Sequence, residues 1–530
     1  MTGRKRLERV AGPVGTAVAV LLCGGGKPAL AATSFVPSVG ADAAWTDNIN
    51  LSPPGQEKAG EVYDLEPGFA LIHDSAREQA SVSYTLHALF FDGGNHELLH
   101  TGSLASVTQL LPDWLELDIA GQRTQGTANP AAPANLAYLF PVENIGNFTS
   151  GLVKPVLKHA WRSVAVEASY TAGISQDDLA AGSSVPGGSS VPGGSSALSY
   201  RSRISDASFT MSSVDQNARL TWGAAYQREQ DQYQSPYTLN FLYEQATGNV
   251  GLLTISTLRL IAQGGAESNP QNGVSEGGLN SAFWAVGFDW STGPRDDLKL
   301  LVGHRYFGNS YEAHWRRASR LLRLQVDYTE QPTTLDAMLL QAPLAAPPVI
   351  QSPGTTQYSR LSPDVFLEKN LSATAAIQGR VTEIGLTISS QEQIYYAVAP
   401  GSVIVGAAPL APNTSDHYRT AMLYGTRHLG PVTDITLSAT LDKYDYAGSG
   451  SSGYTGQEYS IRLTRRTGRH SSVYLRGDHS RQYGGIATYD MNMVSIGANI
   501  SFGNPPARSD GSSSSFGAPS SFGQSANHGP

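Results

Sequence analysis

A single cysteine, Cys23, is present in the whole sequence, and it lies in an N-terminal leader. Arg4, Lys5, Arg6 and Arg9 precede an apolar run from Val10 to Leu22, and Ala29-Leu30-Ala31 places small residues ahead of Ala32. That order is the pattern of a secretory signal, so residues 1–31 are expected to be removed on export. The run is shorter than the roughly 20 residues that a spanning helix needs. Leu22 is bulky at the position before Cys23, where a lipoprotein signal carries a small residue. The mature chain therefore has no thiol and no possible disulfide, and its stability has to come from the fold itself.

Other absences narrow the function. No later apolar run is long enough for a membrane-spanning helix, and few windows show a helical period. The formal net charge is −8, which argues against a nucleic-acid partner. His96, His100, His304 and His314 are scattered without HxH or HExxH spacing and without cysteine partners. No Gly-x-Ser-x-Gly elbow and no phosphate loop occurs. The sequence thus offers no catalytic, cofactor-binding or metal-ligating set.

What it does contain is alternation. Between Leu298 and Tyr328, Leu298, Leu300 and Val302 take one face while Lys299, Leu301, Gly303 and Arg305 take the other. Leu322, Leu324, Val326 and Tyr328 then oppose Arg323, Gln325, Asp327 and Thr329. A period of two belongs to an extended strand. Phe307–Ser310 and Arg317–Arg320, rich in Gly, Asn, Ser and charge, read as turns. The same pattern recurs from Phe35–Trp45 to Asp490–Phe502, with Tyr237–Gln245 and Gly251–Gln263 read as consecutive strands.

Such a chain is either a serial soluble β-protein or a membrane barrel, and loop lengths decide between them. Short connections (Leu111–Asp113, His159-Ala160, Gly379-Arg380, Leu429–Pro431) alternate with long ones (Ser52–Glu61, Gly126–Asn147, Gln176–Ser199, Gln331–Asp364, Ala397–His417, Ala447–Gln457). The short turn at Phe307–Ser310 is an exception at the long-loop end. The expectation is an all-β transmembrane antiparallel β-barrel of about 22 strands, within a range of roughly 18–24, with short periplasmic turns and long extracellular loops. Trp114, Trp161 and Trp290 each lie near a short turn, as an interfacial girdle requires. Residues 32–502 form the barrel on this reading. Residues 503–530 are a Gly/Ser/Pro tail of disordered composition, and the VPGGSS duplication from Val185 and Val191 is a flexible loop.

In the last strand Val494, Ile496, Ala498, Ile500 and Phe502 alternate with small or polar residues. It resembles the targeting signal read by the barrel-assembly machinery, although such signals usually end the chain. The run GFDWSTGPRDDLKLLVGHRYFGNSYEAHWRRASRLLRLQVDYTE, with GHRYFG at Gly303–Gly308, resembles the PEP-CTERM system-associated outer-membrane β-barrel family. WTDNINL at Trp45–Leu51 and LLPDWLELD at Leu110–Asp118 are similar to its N-terminal part. The resemblance implies an outer-membrane barrel of a Gram-negative bacterium, encoded near exopolysaccharide and protein-sorting systems, with no catalytic residues to carry over.

The candidate functional residues are those on the inward faces. Lys299, Arg305, Glu312, His314, Arg316, Arg323 and Asp327 share the face opposite the apolar one, with Tyr311, Ala313 and Trp315 on the lipid side. They form either a solvated wall whose charges pair across strands or an arginine-lined constriction that selects anions. Gly303 and Gly308 relieve crowding or turn the chain. Two function classes follow: a passage for exopolysaccharide or polar solutes, and a scaffold or assembly factor that presents long loops to matrix, polysaccharide or protein partners.

Overall fold

The structure, a computed structural model, describes residues 32–127, 145–178, 199–215, 217–233, 240–269, 278–293, 295–334, 365–397, 415–445, 453–484 and 488–503. The signal sequence, the VPGGSS duplication, most of the tail and the greater part of several long loops lie outside the described residues.

Twenty-two strands make the wall. They are β1 (Ala32–Thr46), β2 (Gly60–Asp74), β3 (Glu78–Phe91), β4 (His96–Leu111), β5 (Leu115–Thr127), β6 (Ile145–Ala160), β7 (Val164–Asp178) and β8 (Ser199–Ser213). Then come β9 (Leu220–Tyr233), β10 (Asn240–Ile255), β11 (Leu258–Glu267), β12 (Ser281–Gly293), β13 (Asp296–Arg305), β14 (Gly308–Ala318) and β15 (Leu322–Thr333). The series closes with β16 (Val365–Gln378), β17 (Thr382–Ala397), β18 (Ser415–His428), β19 (Thr433–Asp445), β20 (Tyr454–Arg466), β21 (Ser471–Gly484) and β22 (Tyr489–Ser501).

Each strand pairs antiparallel with the next, and β22 returns to β1 with Ser501 opposite Ser38 and Met493 opposite Thr46. Phe502 extends that seam, its N–H donating to the Pro37 carbonyl at 2.7 Å. Closure leaves no free sheet edge, which is the condition for strands to cross hydrocarbon. An even strand count puts both barrel ends on the short-turn side. With strands about 4.8 Å apart and tilted by about 40°, 22 of them enclose a backbone cylinder roughly 40 Å across.

The outward face fixes the membrane. Ile384, Leu386 and Ile388 on β17, Leu437 and Leu441 on β19, and Ile461 and Leu463 on β20 are exposed apolar residues pointing away from the lumen. Nearer the long-loop end the same faces turn polar, at Glu392, Lys443 and Gln457. The apolar band therefore sits toward the short turns, and the strands project beyond it. Every tryptophan is exposed on the outside: Trp114, Trp161, Trp222, Trp290 and Trp315 toward the short-turn end, Trp45 and Trp284 toward the other. Two girdles flanking an apolar band are the signature of a barrel at two membrane interfaces. The protein is an outer-membrane β-barrel.

One pair of strands departs from the sequence reading. The break expected between Gln245 and Gly251 is absent, and the turn falls instead at Ser256-Thr257, inside the expected strand Gly251–Gln263. The glycines there are accommodated by neighbours: Gly248 lies opposite Gly264, and inward-facing Asn249 leans over Gly223, where an added Cβ would meet its Oδ1 at 2.4 Å. The two turns flanking β14 are also tighter than expected, at Tyr306-Phe307 and Ser319–Leu321.

Candidate functional site

All seven candidate wall residues project inward, because Val302, Tyr311 and Trp315 on the alternate positions are outward and exposed. Register builds the rows: Lys299 opposes His314, which opposes Asp327, and Asp297 opposes Arg316, which opposes Gln325. Lys299 donates to Glu312 at 2.6 Å, and His314 meets Asp327 at 2.5 Å and Asp297 at 3.6 Å. These are charges paired across strands, the first of the two readings of this wall. Arg316 and Arg323 are exposed to the lumen near the short turns.

Arg305 stands apart from them. The β13–β14 hairpin is short, and β14 pairs with β15 only from Ala313 to Ala318, so the upper part of β15 faces a notch in the wall. Gly287 and Gly303 let β12 and β13 press together below it, since a Cβ would come within 1.8 Å of the Leu300 carbonyl or 2.2 Å of the Trp284 carbonyl. Gly308, with φ +113°, starts the returning strand. Both expected roles of glycine are thus present.

The Arg305 guanidinium fills the notch with all three nitrogens engaged. Nε donates to Glu267 Oε2 at 3.0 Å, Nη2 to Tyr243 Oη at 2.8 Å, and Nη1 to the Glu330 carbonyl at 3.1 Å. Tyr243 in turn donates to Glu267 at 3.1 Å, and the rings of Phe283 and Phe307 stand 5.9 and 5.2 Å from the guanidinium carbon. Glu267 is wholly buried, so this is a desolvated pair whose partners are fixed by hydrogen bonds on every side. It joins β10, β11, β13 and β15. Thr334 donates to buried Asp231, tying the ends of β9 and β15 across the intervening strands.

On another part of the wall the β1–β2 connection folds inward. Asn48 is fully buried; its Nδ2 donates to the Ser52 and Asp490 carbonyls at 2.8 and 3.0 Å, and its Oδ1 accepts from the Ser52 N–H at 2.8 Å. Leu51, 1% exposed and at φ 49°, is driven into an apolar cluster with Ala44, Val62, Leu89, Leu99, Tyr489, Met491 and Met493. The WTDNINL stretch thus supplies an outward Trp45, a polar hub and a hydrophobic stopper. Sequence reading placed the stretch but not its inward fold, because the partners lie on β2, β3, β4 and β22.

Below the stopper the wall carries Asp42, Asp64, Glu66 and His87, which the sequence reading did not single out. Asp64 and Glu66 are two apart on β2 and share its inward face, and the register sets Asp42 opposite Asp64. His87 Nδ1 lies 2.8 Å from Asp64 and 3.6 Å from Glu66.

Against protein-family profiles and curated proteins the sequence has no match. Among solved structures the barrel is similar to the FrpB iron transporter from Neisseria meningitidis, at 9% identity and TM-score 0.47 over 88% of this chain and 82% of that one. A ferric enterobactin receptor from Pseudomonas aeruginosa, solved in complex with enterobactin, gives 10% identity and TM-score 0.48 over 88% of this chain and 81% of that one. OccAB1 from Acinetobacter baumannii gives 11% identity and TM-score 0.35 over 89% and 96% of the two chains.

Proposed function

We propose that this barrel is a passage for polar, hydrated solutes, and that hydroxyl-rich carbohydrate is its principal cargo. The observation that carries the reading is the chemistry of the inward face, where neutral hydroxyls meet in pairs across neighbouring strands. Among half-buried pairs, Ser83 and Ser103 lie 2.7 Å apart, Thr426 and Thr436 3.2 Å, and Thr374 and Thr387 3.4 Å. Such pairs donate or accept with little reorganisation, so they exchange hydrogen bonds with a passing hydroxyl as readily as with water. Some of the wall charges are neutralised locally, as at Lys299–Glu312. The resemblance of the Gly287–Glu330 stretch to barrels encoded near exopolysaccharide systems points the same way.

Folded protein in planar bilayers should conduct, and proteoliposomes should swell in neutral sugars. A deletion strain should lose surface polysaccharide while retaining the cytoplasmic precursors. Absence of conductance together with unchanged surface polysaccharide would overturn the proposal and leave the scaffold reading. That reading has its own support in the β1–β2 connection, which folds inward around Leu51 at the long-loop mouth.

A further inference from the structure

We propose that Asp64, Glu66 and His87, with Asp42 beside them, form a binding site for one divalent transition-metal ion of the Zn²⁺ or Mn²⁺ type in the lumen wall.

Proximity is the first observation. One ligand atom from each of Asp64, Glu66 and His87 lies within 4.8 Å of the others, although the residues come from two strands. Pro67 has no N–H to give the ladder, and Glu66 and Pro67 have no partners in the β2–β3 register. Room is made for the carboxylates. A Cβ at Gly40 would meet Glu66 Oε2 at 2.8 Å, and a Cβ at Gly497 would collide with Asp42 Oδ1.

Hydrogen bonding around His87 is the second observation and is independent of the first. His87 Nδ1 points between the two carboxylates, 2.8 Å from Asp64 Oδ2 and 3.6 Å from Glu66 Oε1, while Nε2 on the other side of the ring lies 3.4 Å from Thr101 Oγ1. With a metal ion on Nδ1 the imidazole proton sits on Nε2, where Thr101 is the outer-shell partner that orients a metal-ligating histidine.

Charge balance agrees. Among the described residues, the ion pairs of Asp64 and Glu66 are both to His87, and Asp64 Oδ1 is buried without a hydrogen-bond partner. Arg462 lies over the Tyr474 ring, 4.0 Å from its centroid, and Tyr474 donates to Asp42. Ala44, Val62, Leu89 and Leu99 roof the site on the mouth side, where they limit access of water. Imidazole nitrogen with carboxylate oxygens suits Zn²⁺ or Mn²⁺, whereas Ca²⁺ and Mg²⁺ prefer oxygen alone.

The test uses full-length folded protein in detergent, stripped with chelator and then equilibrated with Zn²⁺ and, separately, Mn²⁺. Bound metal is counted by elemental analysis and thermal unfolding is followed in parallel. Wild type should retain one equivalent more than His87→Asn, Asp64→Asn or Glu66→Gln, and added metal should raise its unfolding midpoint but not theirs. Heat-modifiable gel migration establishes that each variant is folded, and the isosteric amides keep that check attainable. Equal metal content in wild type and all folded variants would overturn the site. So would wild type that binds no metal while its His87 titrates as an imidazolium paired with Asp64, since a proton would then be the cation.

Discussion

Arg305 and His87 occupy comparable places in one barrel: each is inward, near the long-loop end, and beside carboxylates that the fold has taken out of bulk water. Their surroundings differ in kind. Around Arg305 every nitrogen has a partner, and the buried Glu267 charge is met by a guanidinium and a tyrosine hydroxyl. Around His87 one imidazole serves two carboxylates, with Asp42 opposite, and a buried oxygen is left over. A satisfied charge cluster is a structural joint. An unsatisfied one retains affinity for something else.

The comparison breaks most visibly at Arg305. Arg305→Ala strands the Glu267 carboxylate in a buried site and is expected to cost about 3–5 kcal/mol, by analogy with removal of one partner from a buried ion pair. Urea unfolding of protein refolded into lipid vesicles measures it. Arg305→Met combined with Glu267→Leu removes both charges at similar volume and should recover most of that loss. A double variant as unstable as the single one would mean that the notch depends on the hydrogen bonds to Tyr243 and the Glu330 carbonyl rather than on the charge.

The acid cluster should respond with the opposite sign. In chelator, Asp64→Asn removes one of three clustered carboxylates while keeping an oxygen for His87, so its midpoint should equal or exceed that of wild type. With Zn²⁺ at about 100 times its dissociation constant, wild type should gain about 2.7 kcal/mol and the variant nothing. A loss in chelator as large as that of Arg305→Ala would show that the Asp64 charge is already compensated, and the contrast between the two regions would fail.

The sequence disclosed these regions unequally, for reasons that lie in strand geometry. Alternation fixes which face a residue takes, so Lys299, Arg305 and His314 could be placed inward from their neighbours alone. Alternation says nothing of register across a long loop, nor of which distant strand is adjacent at the same height. Glu267, 38 residues before Arg305, follows Gly264-Gly265 and reads as the start of a loop. Asp64 and Glu66 at i and i+2 were a legible signal, two carboxylates on one strand face. Their histidine was not, because a search for HxH or HExxH spacing asks for ligands on one element and this set spans a hairpin. The turn at Ser256-Thr257 escaped because Ser and Thr suit a strand as well as a turn, whereas Gly248-Asn249 looked like a break and is a place of close packing.

The smallest effect concerns ion selectivity, and it separates the lumen-exposed arginines from the one held in the notch. Arg316 and Arg323 are exposed to the lumen near the short turns, whereas Arg305 is neutralised by Glu267. Replacing Arg316 and Arg323 together by Gln should move the reversal potential toward cations, since positive side chains in a pore favour anions. The size of the shift depends on salt. At 0.15 M the Debye length is about 8 Å, much less than the roughly 40 Å width of the backbone cylinder, so ions passing away from the wall are screened from it. At 0.01 M it is about 30 Å, and the wall charges act across most of the opening. The double variant should therefore differ little from wild type at high salt and clearly at low salt. The Arg305→Met, Glu267→Leu protein should match wild type at both, because it removes no net charge. A low-salt shift in that protein equal to the one from Arg316 and Arg323 would mean that the notch opens onto the conduction path, and that Arg305 belongs to the pore rather than to its frame.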